Sequence, residues 1–484
     1  MREDIIEKRK DKVHFFKNSG IDPYPETTGR DRSIDEVQQN FEALLAKEEN
    51  VIVVGRVRSL RVMGKIAFAH IEDESGKIQA FFEKNMLGED FQLFAKGCDL
   101  GDFTEVSGTV FLTKKDERTI KVSSWKMLSK SLRPIPTEHF GMNDEEELLR
   151  KRYLDLMVHP DTQELFRKKN IFWQTVRTFL SRQGFLEVQT PVLEHIPGGA
   201  EAEPFTTHYN ALDEDLYLRI SLELALKRLL VGGYEKVFEI GRVFRNEGIS
   251  REHLQEFDHI EFYWAYANRE DGMQMVETMY KEIVQAVCGS MKTQYDGQEI
   301  SWGGAWERVD FYEAFLKETG IDLSKNSTVS ELRAKAEELK IAYDKTAGKG
   351  RLIDTIYKKT VRPKLIQPCL LVGHPVEVSP LAKIDPDNPG RTLRFQPIAV
   401  GSELGNGFAE LNDPQDQRAR FEEQMKLREE GDAEAQMIDE DFLEALEYGM
   451  PPAFGFGMSE RFFAILMNRS IRETVIFPPV REKE

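Results

Sequence analysis

The stretch FRNEGISREHLQEFDHIEFYWAYA, residues 244–267, joins two kinds of sequence. Its second half alternates in the manner of a β-strand and contains Glu-Phe-Tyr at residues 261–263. Its first half holds an Arg, two carboxylates and a His. A purely structural strand does not need this combination of charged and aromatic residues. The pattern therefore predicts a site that binds anionic and cationic groups together.

Four further segments combine glycines with charged residues. In GFLEVQTPVLEHIPGGAEAEPF (184–205), a strand ends at Thr190-Pro191 and a Gly-Gly turn follows. In LYLRISLELALKRLLVGG (216–233), Glu223 stands where a turn enters a helix. The other two segments are GSELGNGFAELND (401–413) and GFGMSERFFAILMNRSIRETVIFPP (455–479).

The region from Phe185 to the C-terminus mixes strands with helices. Its strands are polar at alternate residues, which is typical of an antiparallel sheet with one working face. The preceding stretch TQELFRKKNIFWQTVRTFLSRQG (162–184) has helical spacing and ends at Gly184. The apolar face of that helix consists of Leu165, Phe166, Phe172, Val176, Phe179 and Leu180. We predict an α+β fold with an antiparallel sheet flanked by helices.

Five strand-like runs lie nearer the N-terminus, and Gly, Asp and Lys residues separate them. Five short strands over so short a stretch suit a small β-barrel such as the oligonucleotide-binding OB form. The runs are VIVVGRVRSL, KIAFAHIED, KIQAFFEK, FTEVSGTVFLT and TIKVSSWKML. A charged helix over residues 2–18 precedes them, and the Pro-bearing stretch SKSLRPIPTEHFGMNDEEE follows them. Residues 285–365 have the Lys/Glu-rich pattern of a peripheral helical region.

These patterns predict four regions along the chain. They are an N-terminal helical extension (1–48), an OB-fold barrel (49–130), a linker (131–147) and a large α+β domain (148–484). The net charge of −18 leaves nucleic acid open as a partner, because a local basic stripe can still bind phosphates. No apolar run is long enough for a membrane helix, and three scattered cysteines suit a reducing compartment. We therefore expect a cytoplasmic protein without a membrane partner.

The five segments, in this order, resemble the signature motifs of the class II aminoacyl-tRNA synthetases. Thr190-Pro191 matches the first motif, Phe244-Arg245 to Glu247 the second, and Arg461 the third. The N-terminal barrel is similar to that of the lysyl, aspartyl and asparaginyl subclass. Within this subclass, the stretches that resemble bacterial lysyl-tRNA synthetases are IPGGA, SLELALKR, FRNEGIS, HPVEVSPLA and GNGFAELND. The resemblance covers nearly the whole chain.

The resemblance implies a homodimeric class II catalytic domain that ligates L-lysine to tRNA(Lys). ATP would first activate the lysine carboxylate to lysyl-adenylate, and a ribose hydroxyl of the tRNA would then attack the adenylate carbonyl. The implied catalytic residues are Arg245 and Arg461, because Arg245 would bridge the lysine carboxylate and the α-phosphate. The first motif would form the dimer interface.

Lysine carries two ammonium groups and one carboxylate, so a lysine pocket needs several acids and one donor. Glu223, Glu261 and Glu410 supply three acids from separate segments. By resemblance, the first two would hold the α-ammonium and the third the ε-ammonium, with Phe408 along the butyl chain. The implied lysine-binding set is Gly199, Glu223, Arg245, Glu261, Tyr263, Asn406, Phe408 and Glu410.

The resemblance also implies which residues bind ATP. Arg461 and Phe257 would enclose adenine, Glu247 would bind its amino group, and His253 would lie near the phosphates. The implied ATP-binding set is Arg245, Glu247, His253, Phe257, Glu403 and Arg461. Glu403 would hold Mg²⁺, with Gln396 at the second ligand position.

In the barrel, the residues implied to bind the anticodon are Phe68, Gln79 and Glu117. OB domains read unpaired bases by stacking and by hydrogen bonds to base edges. The anticodon uridines would stack on Phe68.

Three positions depart from the family pattern. The usual RFE is Arg394-Phe395-Gln396 here, so one metal ligand is neutral. The usual RHNPEF loop is EHLQEF at residues 252–257. The third motif, GFGMSER, is one residue shorter than GxGxGxDR. These departures concern ATP affinity and rate, since Arg245 and Arg461 are retained.

Two alternatives follow. An enzyme of the same fold would act on aspartate or asparagine, or would lysylate a protein. The acids Glu223 and Glu410 disfavour an aspartate pocket, and an intact barrel disfavours the protein-modifying type. A weakened paralogue would instead be an RNA-binding or regulatory protein without activity, which the three departures suggest.

Overall fold

A computed structural model describes residues 2–136, 144–325, 327–345, 347–429 and 435–481. The chain divides into two compact units, Met1–Asn143 and Asp144–Glu484. Residues 137–143 of the predicted linker lie outside the described residues. Among the described residues, no helix combines the length and the apolar character that a membrane span requires.

The first unit contains five helices and five strands among its described residues. The helices are α1 (Arg2–Asn18), α2 (Ile34–Gln39), α3 (Phe41–Lys47), α4 (Lys84–Leu87) and α5 (Asp90–Gly97). The strands are β1 (Asn50–Met63), β2 (Ile66–Glu72), β3 (Lys77–Glu83), β4 (Phe103–Leu112) and β5 (Arg118–Ser129).

The five strands close into a barrel in the order β1-β2-β3-β5-β4, which confirms the predicted OB-type barrel. Alternate residues of each strand point inward, as Val51 and Val53 do in β1. The helical extension packs on this barrel, because Phe16 of α1 and Phe41 of α3 are fully buried in the same core. Helices α4 and α5, between β3 and β4, were not predicted.

The second unit holds the remaining elements. Its helices are α6 (Glu145–Arg150), α7 (Arg152–Val158), α8 (Pro160–Arg182), α9 (Glu223–Val231), α10 (Arg269–Cys288), α11 (Phe311–Thr319), α12 (Val329–Glu338), α13 (Lys349–Thr360), α14 (Pro414–Glu429), α15 (Glu440–Glu447) and α16 (Arg461–Leu466). Its first strands are β6 (Leu186–Glu187), β7 (Leu193–Glu194), β8 (Thr206–Tyr209), β9 (Glu214–Leu218), β10 (Lys236–Phe244), β11 (Glu256–Ala265), β12 (Lys292–Tyr295) and β13 (Gln298–Ser301). Its later strands are β14 (Glu307–Asp310), β15 (Cys369–Val372), β16 (Ile384–Asp385), β17 (Asn388–Thr392), β18 (Arg394–Ala399), β19 (Ser402–Glu403), β20 (Asn406–Ala409) and β21 (Ala453–Ser459).

A large sheet in the order β14-β15-β18-β20-β21-β11-β10-β6 forms the centre of this unit, with β19 paired to β18. All pairs from β15 to β10 are antiparallel, as predicted, whereas the outermost pairs β14–β15 and β10–β6 are parallel. The sheet is therefore mixed, and the α+β class is confirmed.

Helix α8 covers one face of the sheet, as its spacing predicted. Phe172, Val176, Phe179 and Leu180 are buried in one core with β11, β21 and α10. Gly184 follows the helix with φ +83°, a conformation that glycine adopts at little cost. Covering this face leaves the opposite face of the central strands for a site.

The region 285–365 is less purely helical than its composition suggested. It contains the β12–β13 hairpin and the edge strand β14 as well as α11, α12 and α13. Strand β14 reads Glu-Arg-Val-Asp, a four-residue run without an apolar alternation, so its sequence gives no strand signal.

Candidate active site

Strand β11 places alternate side chains on the free face of the sheet. Its register pairs Glu261 with Gly457 of β21, and Gly457 with Asn406 of β20. Two residues further along β11, Tyr263 pairs with Gly455, and Gly455 with Phe408. Each row therefore has a predicted site residue on either side of a glycine, and the glycine leaves a trough between them.

The two glycines are required by the close approach of these side chains. A Cβ on Gly455 would overlap Glu410 Oε1 and lie 2.5 Å from Tyr263 Cε1. A Cβ on Gly457 would lie 2.9 Å from His259 Nε2. Real Cβ contacts are longer than this, so the trough exists only with glycine at these positions.

The trough is the floor of a cavity of about 270 Å³. Side chains and backbone from nine separate stretches of the chain line it, as a site built on a sheet face requires. The predicted site residues among the lining are Gly199, Glu223, Arg245, Phe257, Glu261, Tyr263, Glu403, Asn406, Phe408 and Arg461.

Two of the three predicted acids line the cavity, and the third lies behind its wall. Glu261 accepts hydrogen bonds from Ser221 Oγ at 2.6 Å, the Leu222 amide at 2.8 Å and the Tyr263 hydroxyl at 2.8 Å. Burial raises the pKa of Glu261, and these hydrogen bonds act against that rise. Glu410 is buried beneath Gly455.

The backbone at Gly199 lies close to Glu223. Its φ is +83°, and a Cβ there would lie 2.8 Å from the Cβ of Glu223 and 2.9 Å from Ser221 Oγ. Both the conformation and the space therefore require glycine.

Lys227, which the sequence did not single out, joins two of the acids. Its Nζ lies 2.5 Å from Glu223 Oε1 and 2.5 Å from Glu410 Oε2, and its side chain is fully buried. Burial lowers the pKa of this ammonium, but Glu223 and Glu410 together raise it above the usual range. Burial raises the pKa of Glu223 to about 7, against the opposing effect of Lys227.

Two guanidinium groups border the cavity and suit an anionic ligand. Arg245 Nε donates to the Ile220 carbonyl at 3.2 Å, and the guanidinium lies 5.3 Å from the Phe257 ring centroid. Arg461 donates to the carbonyls of Glu252 and Glu403 at 3.3 and 3.2 Å. Backbone carbonyls thus orient both side chains without neutralising them.

Comparison with known proteins accounts for this arrangement. Residues 144–481 match the family model of class II tRNA synthetases (D, K and N), and residues 51–128 match that of the OB-fold nucleic acid binding domain. The chain belongs to the class II tRNA synthetases. It is 44% identical to a lysine–tRNA ligase of Roseiflexus castenholzii over 485 residues, or 99% of each chain. It is 43% identical to a lysine–tRNA ligase of Bacillus subtilis over 488 residues, covering 99% of this chain and 98% of the relative.

Several residues predicted for ATP and metal lie outside the lining of this cavity. Glu247 and His253 stand in the loop between β10 and β11, where Ser250 Oγ is 2.7 Å from His253 Nδ1. Gln396 is buried in β18, and its Oε1 is 3.1 Å from His374 Nε2. It lines a second cavity of about 290 Å³, which shares Glu403 with the first.

His259 is a wall residue that the sequence did not single out. It lies on β11 between Phe257 and Glu261, with Nε2 3.6 Å from Glu261 Oε1. Burial and the nearby charges of Arg245 and Arg461 lower the pKa of His259 to about 3. The imidazole is therefore neutral. The signal available in the sequence was its spacing of two residues from Phe257, which places both side chains on the same face of the strand.

In the barrel unit, the three predicted anticodon residues lie on β2, on β3 and just before β5, and Gln79 is buried whereas Phe68 is half-buried. Phe68 pairs in register with Phe81, His70 pairs with Gln79, and Gln79 pairs with Thr119. Thr119 Oγ1 donates to Gln79 Oε1 at 3.0 Å, and Glu117 lies 3.0 Å from His70 Nε2.

Phe68 belongs to an aromatic row whose other two members, Phe81 and Phe111, were not predicted. The Phe68 and Phe81 ring centroids are 5.0 Å apart, and those of Phe81 and Phe111 are 6.0 Å apart. All three rings are half-buried on the outer face. Unpaired bases could stack on such a surface.

Proposed function

We propose that this synthetase ligates L-lysine to tRNA(Lys) through a lysyl-adenylate. The proposal rests on one observation: several carboxylates and a guanidinium group lie at the same cavity. Glu223 and Glu261 line it beside Arg245, and Glu410 lies directly behind Gly455. Two ammonium groups and one carboxylate of lysine match these charges, whereas aspartate would need cations where the acids lie.

In the first step, Arg245 would bind the lysine carboxylate and the α-phosphate of ATP together. The carboxylate oxygen attacks the α-phosphorus in line, the bond to the bridging oxygen breaks, and pyrophosphate leaves. Arg245 and Arg461 neutralise charge on the phosphates, and the adenine ring would stack on Phe257. The enzyme supplies position and charge, so no protein nucleophile is needed.

In the second step, the terminal ribose hydroxyl of the tRNA attacks the adenylate carbonyl, and AMP leaves. The proton of that hydroxyl would pass to a phosphate oxygen of the departing AMP. Anticodon bases would stack on Phe68 and its aromatic row, with Gln79 and Glu117 at the base edges.

A magnesium ion fits the residues present. Glu403 lines both cavities, and Mg²⁺ usually takes one or two carboxylates together with substrate phosphates. No group of three His, Cys or acidic side chains among the described residues is arranged to hold a metal ion, so phosphates would complete the ligand set. When bound, the ion would neutralise the charge of the β- and γ-phosphates.

We also propose a homodimer in the cytoplasm. Apolar side chains of the first motif, including Leu186, Val192 and Leu193, are exposed in the single chain. Exposed apolar side chains of this size favour a protein–protein interface. The three cysteines are free thiols, which suits a reducing compartment.

The test is lysine-dependent exchange of pyrophosphate into ATP, with each of the other amino acids as a comparison. We expect exchange with lysine and a decrease of at least about 10²-fold in Arg245→Ala, which removes the bridging guanidinium. Arg242→Ala is the matched control, because Arg242 is exposed on β10, three residues before Arg245, and pairs with Asp258.

Each other outcome identifies a rival. Exchange driven by aspartate or asparagine would assign a different substrate. Absence of exchange with all amino acids, together with tRNA binding, would indicate an RNA-binding protein without activity.

A further inference from the structure

Lys227 belongs to the amino-acid site although it does not touch the cavity. It lies on α9 one turn after Glu223, and its ammonium is enclosed by the rings of Phe408 and Phe442 at 5.4 and 5.8 Å. A buried ammonium is costly unless carboxylates compensate it. The side chain is held there by Glu223 and Glu410, both of which are buried.

The two oxygens of Glu410 have different surroundings. Oε2 forms an ion pair with the Lys227 ammonium at 2.5 Å. Neither oxygen accepts a hydrogen bond with good geometry from the described residues, and the ion pair with Lys227 is made by Oε2 and not by Oε1. It lies against Gly455, which lines the cavity, so this oxygen borders the space that a ligand would enter. A buried acceptor without a donor is rare in a folded protein unless a ligand completes it.

We propose that Lys227 is a positioning residue that turns Glu410 so that Oε1 receives one primary ammonium from the substrate side chain. This inference rests on the proposed function and identifies how the pocket distinguishes a charged side chain from a neutral one. Lys227 binds one oxygen of Glu410 and the substrate binds the other. The acid then has a cation on each side.

Lys227 contributes, together with Arg394 on the cavity wall, to the balance of charge in the pocket. Glu223, Glu261 and Glu410 are three acids, and lysine brings only two ammonium groups. Arg245 is matched by the substrate carboxylate and does not balance the third acid. Without Lys227, the buried carboxylates would share a proton, because like charges at short range cannot all stay ionised.

The experiment compares wild type with Lys227→Met, a substitution of similar length without charge. We expect KM for lysine to rise about 10- to 100-fold, because loss of a charged hydrogen-bond partner has an effect of this size. KM for ATP should change by less than about twofold. Discrimination against 6-hydroxynorleucine, the neutral analogue with a hydroxyl in place of the ε-ammonium, should fall.

The pH profile separates a positioning role from a structural one. Lys227, Glu261 and Arg394 all influence the ionisation of Glu223. Lys227, Glu223, Glu261 and Tyr263 lie around Glu410. Removing the Lys227 cation raises the pKa of both carboxylates, so lysine binding in the variant should need a higher pH. A simple loss of packing would leave the profile unchanged.

Lys130→Met is the matched control. Lys130 is also fully buried and contacts two carboxylates, Asp99 at 2.6 Å and Asp102 at 2.8 Å, but it belongs to the barrel unit. This substitution removes the same kind of buried cation. We expect a lower melting temperature and an unchanged KM for lysine.

The outcomes are distinct. Lack of lysine-dependent exchange in wild type would refute the proposed function itself. Lysine-dependent exchange in wild type with an unchanged KM in Lys227→Met would overturn the role of Lys227 alone. If Lys227→Met does not fold, Lys227→Gln provides the test, because the amide can hydrogen-bond to the acids without a charge. A wild-type KM in Lys227→Gln would also overturn the inference.

Discussion

At the scale of single residues, the shape of the site depends on glycines, which lack a side chain, as much as on charged groups. Gly455 lies between Tyr263 and Phe408 in the sheet and directly over Glu410 Oε1. A methyl group there would occupy the space between the acid and the cavity. We therefore expect the glycine to take part in the recognition of the substrate ammonium.

We predict that Gly455→Ala raises KM for lysine with a smaller effect on KM for ATP. Overpacking of a close-packed site costs about 1–3 kcal/mol, which corresponds to roughly 5- to 150-fold in affinity. Steady-state exchange measured at varied lysine and then at varied ATP separates the two constants. Gly303→Ala is the control, since its added Cβ would meet only Met291 at 3.9 Å. Equal effects of both variants on KM for lysine would contradict the prediction.

Gln396 gives a second prediction at this scale. A carboxylate at this position adds a hard, charged ligand near Glu403, so Gln396→Glu should lower the Mg²⁺ concentration for half-maximal exchange by roughly 3- to 10-fold. The measurement is a Mg²⁺ titration at fixed ATP and lysine. Gln417→Glu, at another buried glutamine, controls for the introduction of a buried charge. An unchanged Mg²⁺ requirement in Gln396→Glu would place this residue away from the metal.

Residue types and the family resemblance together predicted much of the cavity lining and Glu410 behind it, but missed Lys227. Glu261 and Arg245 stand out because charged side chains in an otherwise apolar strand and its loop need a purpose. Lys227 in LALKRLL is indistinguishable by sequence from a solvated lysine at helical spacing from Glu223. Only the fold places Glu410, nearly two hundred residues later, on the other side of its ammonium.

At the scale of elements, the barrel and the long strands follow from their alternation, whereas short elements do not. The five barrel strands have seven to fourteen residues each, so their period of two is visible. Strand β14 and the hairpin strands β12 and β13 have four residues each, and their positions are set by the sheet and helices around them. Helix α5 was missed for the same reason, since eight residues give only two turns.

The outer surface of the barrel gives the prediction for this scale. Phe68→Ala should raise KM for tRNA about 10-fold in aminoacylation, because stacking on one aromatic ring contributes about 1–3 kcal/mol per base. Pyrophosphate exchange, which needs no tRNA, should stay at the wild-type rate. Phe103→Ala removes an exposed ring that stacks with Arg56 instead of belonging to the row of Phe68, Phe81 and Phe111, and serves as control. Loss of exchange in Phe68→Ala would indicate a general defect in folding.

At the scale of the whole molecule, the first motif leaves apolar surface at the edge of the sheet. Strand β6 is the outermost strand and pairs only with β10 among the described strands. Leu186 in this strand and Leu193 in β7 are each 47% exposed, and Ile171 of α8 is 38% exposed. Exposed apolar side chains of this kind favour association with a second copy of the chain, since both copies would bury the same residues.

The last prediction follows from this patch. Leu193→Asp should raise the dissociation constant of the proposed dimer by at least about 10-fold, because a charge desolvated in an apolar interface is costly. Sedimentation equilibrium should give wild type at twice the chain mass of 55.8 kDa and the variant nearer to a single chain. Leu316→Asp, at a leucine that is 42% exposed on α11, controls for surface charge. A monomeric wild type, or equal dissociation in both variants, would show that the patch is not the interface; the exposed leucines of the first motif would then need a different partner.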